Sequence, residues 1–215
     1  MRIALLHTAE SNIEVFESAA SELVNSGVTL HHVVRKDLLA NAEQAGGMTP
    51  EIAAETRVAL LQLANDAHAV LLTCSTLGKA VDGLSELAQK PILRVDGALA
   101  KSAIEAGGHV VVLCAVETTI APTAELFRIV AEGSATTFDV RLVSGAWEKF
   151  KAGDREGYLS MVARDARSAY EDGASTVALG QSSMAGAVAL VQNGPVPLTS
   201  PIAGLRAAIA QASVP

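Results

Sequence analysis

A cysteine at the end of a short apolar run is the strongest candidate for chemistry in this sequence. The run Val70-Leu-Leu-Thr73 leads directly into Cys74, and small polar residues follow at Ser75 and Thr76. In an open α/β sheet, such a junction lies outside the carboxyl end of a parallel strand, where ligands bind. Backbone N–H groups of a helix that begins there favour the thiolate. Cys74 is therefore the first candidate for carrying chemistry, although a small apolar core residue would also fit this position.

The composition predicts a packed aliphatic protein and argues against nucleic acid as a partner. Half of the 215 residues are hydrophobic, 3% are aromatic, and the net charge is −7. The basic residues are scattered, so they would not form a phosphate-binding face. No apolar run approaches the roughly 18 residues of a membrane helix, and the run after Met1-Arg2 is too short for a signal peptide. We expect a soluble, cytoplasmic protein with no membrane partner.

Motifs that hold cofactors or metals are missing from the sequence. It contains no phosphate loop, no Rossmann glycine fingerprint and no serine-centred elbow. Cys74 and Cys114 are the only cysteines and show no metal-ligand spacing. The sequence therefore predicts a site without metal or cofactor, and two free thiols in a reducing compartment.

An internal repeat indicates how the chain is organised. Predicted strands and helices alternate, which is typical of parallel α/β sheets. Residues 67–81 match residues 174–188 at six of 15 positions, with an offset of 107 residues that pairs Cys74 with Gln181. The same offset lays residues 3–6 over 110–113 and residues 28–34 over 135–141.

We interpret this repeat as a duplication. It predicts two similar Rossmann-like α/β halves, each a short parallel sheet flanked by helices, with the active site in the cleft between them. The predicted halves are residues 1–96 with 201–215, and residues 97–200.

Local signals predict the boundaries of several helices. Asn12 is predicted to cap a helix that runs to about residue 26, and Asp96 to cap one that ends at Gly107. The other assignments are an irregular segment over 36–47 and helices over 77–88 and from about 183 to 192.

Polar turns follow the paired strands and could bind a small carboxylate. Hydroxyls and helix N-terminal amides are suitable ligands for such a group, although Ser and Thr at these positions could also simply cap helices. The predicted substrate-binding residues are His7, Thr8, Ser75, Thr76, Glu117, Thr118, Thr119 and Ser183.

The order and spacing of these motifs resemble the aspartate/glutamate/hydantoin racemase superfamily over nearly the whole chain. The segments that carry the resemblance are Cys74-Ser-Thr76, Pro91-Ile-Leu-Arg-Val-Asp96, Val112-Leu-Cys-Ala-Val-Glu-Thr-Thr119 and Pro201-Ile-Ala-Gly-Leu-Arg206. The resemblance implies cofactor-independent chemistry, in which two cysteines on opposite faces of the substrate carbon act as acid and base. It also implies a homo-oligomer, since relatives often form dimers or higher assemblies.

The sequence departs from this pattern at the second cysteine. That position is Gln181, which cannot serve as a proton-transfer base near neutral pH, and Ser182 beside it is a poor base without assistance. Cys74, Gln181 and Ser182 are the residues predicted at the catalytic positions. Cys114, at the end of a predicted strand, is expected to be a core residue.

Three functions stay open at this point. The first is a racemase or isomerase that combines Cys74 with another acid–base group, such as His7 or Glu117. The second is a single-cysteine decarboxylase of a substituted malonate, an activity that the superfamily includes. The third is a binding protein that keeps the carboxylate pocket without turnover.

Overall fold

The computed structural model describes residues 1–23, 27–192 and 194–213. The chain folds into two compact units. The first unit contains residues 1–98 and the segment from Pro201, and the second contains Leu99–Ser200. No helix within the described ranges is long and apolar enough to cross a membrane.

Helices and strands alternate through the first hundred residues. They are β1 (Arg2–His7), α1 (Ser11–Glu22), β2 (Thr29–Val34), α2 (Lys36–Gln44), α3 (Pro50–Asp66), β3 (Ala69–Leu72), a 3₁₀ segment (Ser75–Val81), α4 (Leu84–Ala88), β4 (Ile92–Arg94) and α5 (Val95–Ala106).

The alternation continues to the last helix. The remaining elements are β5 (His109–Cys114), a 3₁₀ turn (Glu117–Thr119), α6 (Ile120–Val130), β6 (Thr137–Leu142), α7 (Ala146–Lys151), α8 (Arg155–Glu171), β7 (Thr176–Leu179), a 3₁₀ segment (Ser182–Leu190), β8 (Leu198–Thr199) and α9 (Ser200–Ala212).

Both units contain a four-stranded sheet in which all strand pairs are parallel. The strand order is β2-β1-β3-β4 in the first unit and β6-β5-β7-β8 in the second. The sequence prediction of two α/β halves, each with a short parallel sheet flanked by helices, is confirmed.

The offset between equivalent strands of the two units is 107 residues for β1 and β5 and for β3 and β7, but it differs for β2 and β6. Ile3 lies opposite Ala69, and Val110 lies opposite Thr176, so β1 with β3 repeats as β5 with β7 at this offset. However, Arg2 lies opposite Thr29 while His109 lies opposite Thr137. The segment before β6 is therefore one residue longer, and the predicted match of residues 28–34 with 135–141 is wrong by one position.

The first sheet buries apolar side chains on both faces because its strands are covered by helices on both sides. One face presents Ala4, Leu6, Val70 and Leu72 to α2 and α3. The opposite face presents Ile3, Leu5, Ala69 and Leu71 to α1 and α9. In the second unit, residues of β5 and β7 pack against the small and apolar side chains of α8.

Several predicted helix boundaries are wrong. Asn12 lies inside α1, whose N-cap is Glu10, and the end predicted near residue 26 lies outside the described residues. Asp96 lies in the first turn of α5, which begins at Val95, and its carboxylate binds Arg94 as well as the Gly97 N–H. The segment predicted as irregular forms α2, because Leu38 and Ala42 are four residues apart and bury one helical face.

The residues after β3 and β7 form 3₁₀ segments rather than the predicted α-helices. In the first unit, Gly83 in the left-handed conformation separates this segment from the short helix α4. A single predicted helix over 77–88 is thus two elements in the structure.

A partly buried ion pair lies against the 3₁₀ segment of the first unit. Arg94 directs Nε and Nη2 to the two carboxylate oxygens of Asp96, at 2.6 and 2.7 Å. Its guanidinium lies so close to Gly78 that a Cβ there would be only 2.7 Å from Nε and closer still to Cζ. In the second unit, Ala185 is the equivalent of Gly78 at the repeat offset. Thr199 is the equivalent of Arg94, because Arg94 lies opposite Leu72 and Thr199 lies opposite Leu179. The second unit therefore has a small polar residue where the first has arginine.

We expect Gly78→Ala to lower the free energy of unfolding by about 1–3 kcal/mol, because the methyl group forces the guanidinium away from Asp96. Urea unfolding monitored by circular dichroism measures this change. The control is Gly186→Ala in the second unit, where the new methyl group meets only the end of the Leu159 side chain, at 3.0 Å. A larger loss from the control than from Gly78→Ala contradicts the interpretation.

Candidate functional site

The end of the first sheet brings together the residues that follow β1 and β3. These strands are parallel neighbours with Leu6 opposite Leu72, so His7 and Thr8 leave the sheet beside Thr73 and Cys74. The Thr73 N–H donates to Leu6 O at 3.1 Å and extends the ladder by one bond. This register places His7, Thr8 and Cys74 at one edge of the sheet.

Cys74 is a free, partly exposed thiol at this edge. Its backbone is extended, and Ser75 begins the 3₁₀ segment directly after it. The Cys74 side chain packs against the apolar cluster between the sheet and helices α2 and α3. Ser75 is half-buried and Thr76 is exposed. A thiol supported on one side by the core and open on the other can reach a small molecule.

His7 lies inside a chain of hydrogen bonds. Its Nδ1 contacts Thr73 Oγ1 at 2.9 Å, and its Nε2 contacts His32 Nδ1 at 2.8 Å. His32 Nε2 continues the chain to Glu17 Oε1 at 3.0 Å. His7 was predicted to bind substrate, but its ring is buried and both nitrogens already have partners. Any effect of this ring on a ligand must pass through its neighbours.

Burial controls the charge of His7. The loss of solvent, together with the nearby His32 ring, lowers the pKa of His7 from 6.5 to about 4. The imidazole is therefore neutral at physiological pH, with one nitrogen as donor and the other as acceptor.

Arg94 is the cation at the carboxyl edge of β4, opposite Leu72 in the strand register. Burial opposes its charge, but the hydrogen bonds and the charge of Asp96 outweigh this effect and raise the pKa of Arg94. Because both carboxylate oxygens of Asp96 are bound to the guanidinium, the pair is neutral as a unit.

In the second unit, Gln181 takes the position that corresponds to Cys74. Its Oε1 accepts the Ala115 N–H at 2.7 Å, and its Nε2 donates to Thr119 Oγ1 at 2.8 Å. The Thr119 hydroxyl in turn donates to Val116 O at 2.6 Å. The amide therefore joins the turn after β5 to the turn after β7, and it satisfies polar groups of the protein itself. This arrangement supplies no proton-transfer base.

The two serines after Gln181 also bond within the second unit. Ser182 is buried, and its Oγ lies 3.1 Å from Ser200 Oγ. Ser183 Oγ lies 2.8 Å from Tyr158 OH, and burial raises the pKa of that tyrosine to about 12. Neither hydroxyl has a base beside it among these contacts, so Ser182 has no activating partner for a catalytic role.

Cys114 is a core residue, as the sequence indicated. It is fully buried at the end of β5, where its thiol donates to Thr123 Oγ1 at 3.7 Å. Burial raises the pKa of Cys114, and its hydrogen bonds with Thr123 and Thr119 only partly offset that effect. The Cys114 thiol therefore stays protonated near neutral pH.

The turn after β5 exposes the other predicted ligands of this unit. Glu117 and Thr118 are exposed, whereas Thr119 is half-buried and bound to Gln181. Within the described ranges, no three His, Cys, Asp or Glu residues lie close enough to hold a metal ion.

Sequence reasoning missed Thr73, His32 and Glu17, which connect His7 to its surroundings. The role of Thr73 could have been suspected because it directly precedes Cys74. The contact of His32 with His7 could have been predicted from the parallel pairing of β1 and β2. The contact of Glu17 with His32 depends on how α1 packs on the sheet, and no local sequence pattern indicates it.

The chain belongs to the Asp/Glu/Hydantoin racemase family, whose sequence profile matches residues 3–212. This match confirms the resemblance found in the sequence. No curated protein sequence matches the chain significantly.

Solved structures of several family members share the fold. An allantoin racemase from Pseudomonas fluorescens is 19% identical, with a TM-score of 0.71 over 98% of this chain and 90% of the other. An aspartate racemase homologue from Pyrococcus horikoshii is 14% identical, with a TM-score of 0.68 over 99% of each chain. A double mutant of arylmalonate decarboxylase is also 14% identical, with a TM-score of 0.58 over 99% of this chain and 92% of the other.

We expect iodoacetamide to modify one thiol of the folded protein, Cys74, because Cys114 is buried and its pKa is raised. Mass spectrometry of peptides after timed alkylation at pH 7 identifies the modified residue, and denatured protein gives the two-thiol control. Modification of Cys114 as fast as Cys74 would contradict this assignment. If Cys74 reacts no faster than a free thiol, it is not an activated thiolate.

Neutral, buried His7 should make the fold sensitive to acid. Its pKa is about 4 in the folded chain and 6.5 as the reference value, so the unfolded state binds more protons between these values. The His7 contribution is present above pH 6.5 and is lost as the pH falls towards 4, by about 3 kcal/mol.

Denaturant unfolding of wild type and His7→Asn at pH 7 and pH 4 tests this linkage. The wild type should lose about 3 kcal/mol more than the variant over this range. His31→Asn, on the same strand as His32, is the control and should keep the wild-type pH dependence. Equal losses in wild type and His7→Asn would show that His7 is not held neutral by the fold.

Proposed function

We propose that this protein is a cofactor-independent racemase that moves a proton at an acidic carbon beside a carboxyl or imide group, with Cys74 as the acid/base. Family membership supports the reaction class. The observation that carries the assignment to this chain is the Cys74 thiol, partly exposed at the carboxyl edge of a parallel strand.

Cys74 is favoured over Cys114 by exposure. A thiolate must reach the substrate carbon to remove its proton, and Cys114 is buried with a raised pKa. In the proposed step, the Cys74 thiolate takes the proton and becomes a thiol. The electron pair of the C–H bond moves into the adjoining carbonyl to form an enolate. A proton returned to the opposite face gives the other enantiomer.

The return of that proton does not use a second thiol. Gln181 is bound through both ends of its amide and has no basic atom. The proton donor in the proposed return step is water. With only one thiol, this chain is expected to racemise more slowly than an enzyme with two opposed cysteines.

The proposed substrate is hydantoin-like rather than a dicarboxylic amino acid. The predicted ligands are hydroxyls and amides, Glu117 is the charged member of the set, and it contains no Lys or Arg. Arg94 is already neutralised by Asp96. A ring imide needs hydrogen-bond donors and acceptors, whereas two carboxylates need cations to compensate their loss of water.

We expect the protein to wash solvent deuterium into the acidic carbon of allantoin, and Cys74→Ser to reduce this rate at least about 100-fold. Proton NMR in D₂O follows loss of the substrate signal, and polarimetry follows loss of optical activity. Cys114→Ala is the matched control and should keep the wild-type rate. D- and L-aspartate and glutamate serve as the competing substrates.

Two outcomes would replace this proposal. Release of CO₂ from an arylmalonate, with one deuteron incorporated stereospecifically, would indicate a decarboxylase. Thermal stabilisation by these compounds without exchange, and with Cys74→Ser binding them as well as wild type, would indicate a binding protein.

A further inference from the structure

Four side chains of the first unit form a continuous path from a buried turn to solvent. Thr73 is 7% exposed and His7 is 0% exposed, while the side chains of His32 and Glu17 are 12% and 59% exposed. Successive contacts are 2.9, 2.8 and 3.0 Å. The two imidazole planes lie within 18° of each other, and the facing ring nitrogens are at hydrogen-bond distance.

These contacts permit a neutral arrangement of protons. The Thr73 hydroxyl donates to His7 Nδ1, His7 Nε2–H donates to His32 Nδ1, and His32 Nε2–H donates to the Glu17 carboxylate. Every contact then has one donor and one acceptor, and neither imidazole is charged.

The same heavy atoms permit a second arrangement with one more proton. Thr73 Oγ1 also lies 3.1 Å from Leu6 O, so its hydroxyl can turn to that carbonyl and accept from His7 Nδ1–H instead. His7 Nε2 then accepts from His32 Nδ1–H, and His32 carries the charge beside Glu17. The two states differ by one added proton and by the tautomer of His7.

We infer that Thr73, His7, His32 and Glu17 form a proton relay between the turn that precedes Cys74 and solvent. In the outward direction, Thr73 Oγ1 takes a proton from a donor at the turn and gives its own proton to His7 Nδ1. His7 then gives its Nε2 proton to His32 Nδ1, and His32 passes its Nε2 proton to Glu17 or to water. The reverse sequence delivers a proton to the turn, and each step breaks one O–H or N–H bond as the next forms.

The surroundings favour charge at the outer end of this relay. His7 is buried against the Phe16 ring of α1, 5.4 Å away between centroids, and its pKa is lowered to about 4. Glu17 lies at the His32 end. The cations that follow β2 are directed elsewhere, since Arg35 pairs with Asp37 and Glu55, and Lys36 with Glu10.

The relay deepens the proposed function and rests on it for its role in turnover. A racemase with a single thiol must exchange a proton with solvent in each cycle, and in this scheme the path from solvent to Thr73, the residue before Cys74, supplies that exchange. His7 and His32 are positioning residues in this scheme, because neither ring contacts the substrate.

Nitrogen-15 NMR of the histidine rings tests the relay without any substrate. His7 should change from the Nε2–H to the Nδ1–H tautomer as the pH is lowered from about 8 to 5 and the relay takes up its added proton. His7→Asn and His32→Asn assign the signals. Glu17→Gln should lower the midpoint of this tautomer change, because it removes the carboxylate at the outer end of the relay. Glu22→Gln, the same change elsewhere on α1, should leave it unchanged.

Activity gives the second readout. Thr73→Val should lower kcat for deuterium exchange about tenfold with little change in KM, and Thr73→Ser should restore it. A single His7 tautomer throughout the range from about pH 8 to pH 5, or a His7 that is mainly doubly protonated in that range, overturns the relay. If the tautomer switches but wild type exchanges no substrate, the relay stands and the proposed function fails. If exchange occurs and Thr73→Val matches wild type, the relay has no part in turnover and the inference fails.

Discussion

The parallel pairing of the first and third strands is the constraint on which the candidate site depends. In a parallel pair both strands end at the same edge, so the residues after β1 and β3 leave the sheet side by side. The bond from Thr73 N–H to Leu6 O holds that edge, and Gly180 N–H to Leu113 O repeats it in the second unit. Cys74 and Gln181 each come one residue after such a bond.

The two units place different chemistry on the same backbone. The repeat pairs His7 with Cys114 and Thr73 with Gly180. In the first unit a hydroxyl meets an imidazole, whereas in the second a Cβ on Gly180 would lie 3.2 Å from Cys114 Sγ and 2.8 Å from Leu113 O. The first edge is therefore a hydrogen-bonded, titratable site, and the second is closed by a buried thiol and the doubly bound Gln181 amide.

The sequence predicted what depends on local pattern and on the repeat. The β3–Cys74 junction, the paired strands and the departure at Gln181 were all readable because strand periodicity and a constant offset are properties of the chain itself. The bonds of His7 to His32 and of His32 to Glu17 were not, because they depend on how β2 and α1 pack on β1. The 3₁₀ geometry after Cys74 was missed since apolar spacing in so short a segment fits an α-helix equally well.

The last helix affects the order in which the chain can fold. Residues 99–200 separate α9 from the rest of the first unit, yet Leu205 and Ala208 are fully buried against the face formed by Ile3 and Leu5. During synthesis the second unit is complete before α9 leaves the ribosome, while one face of the first sheet still lacks its cover. The half that carries Cys74 therefore begins first and finishes last, and its nascent apolar face stays exposed until α9 docks.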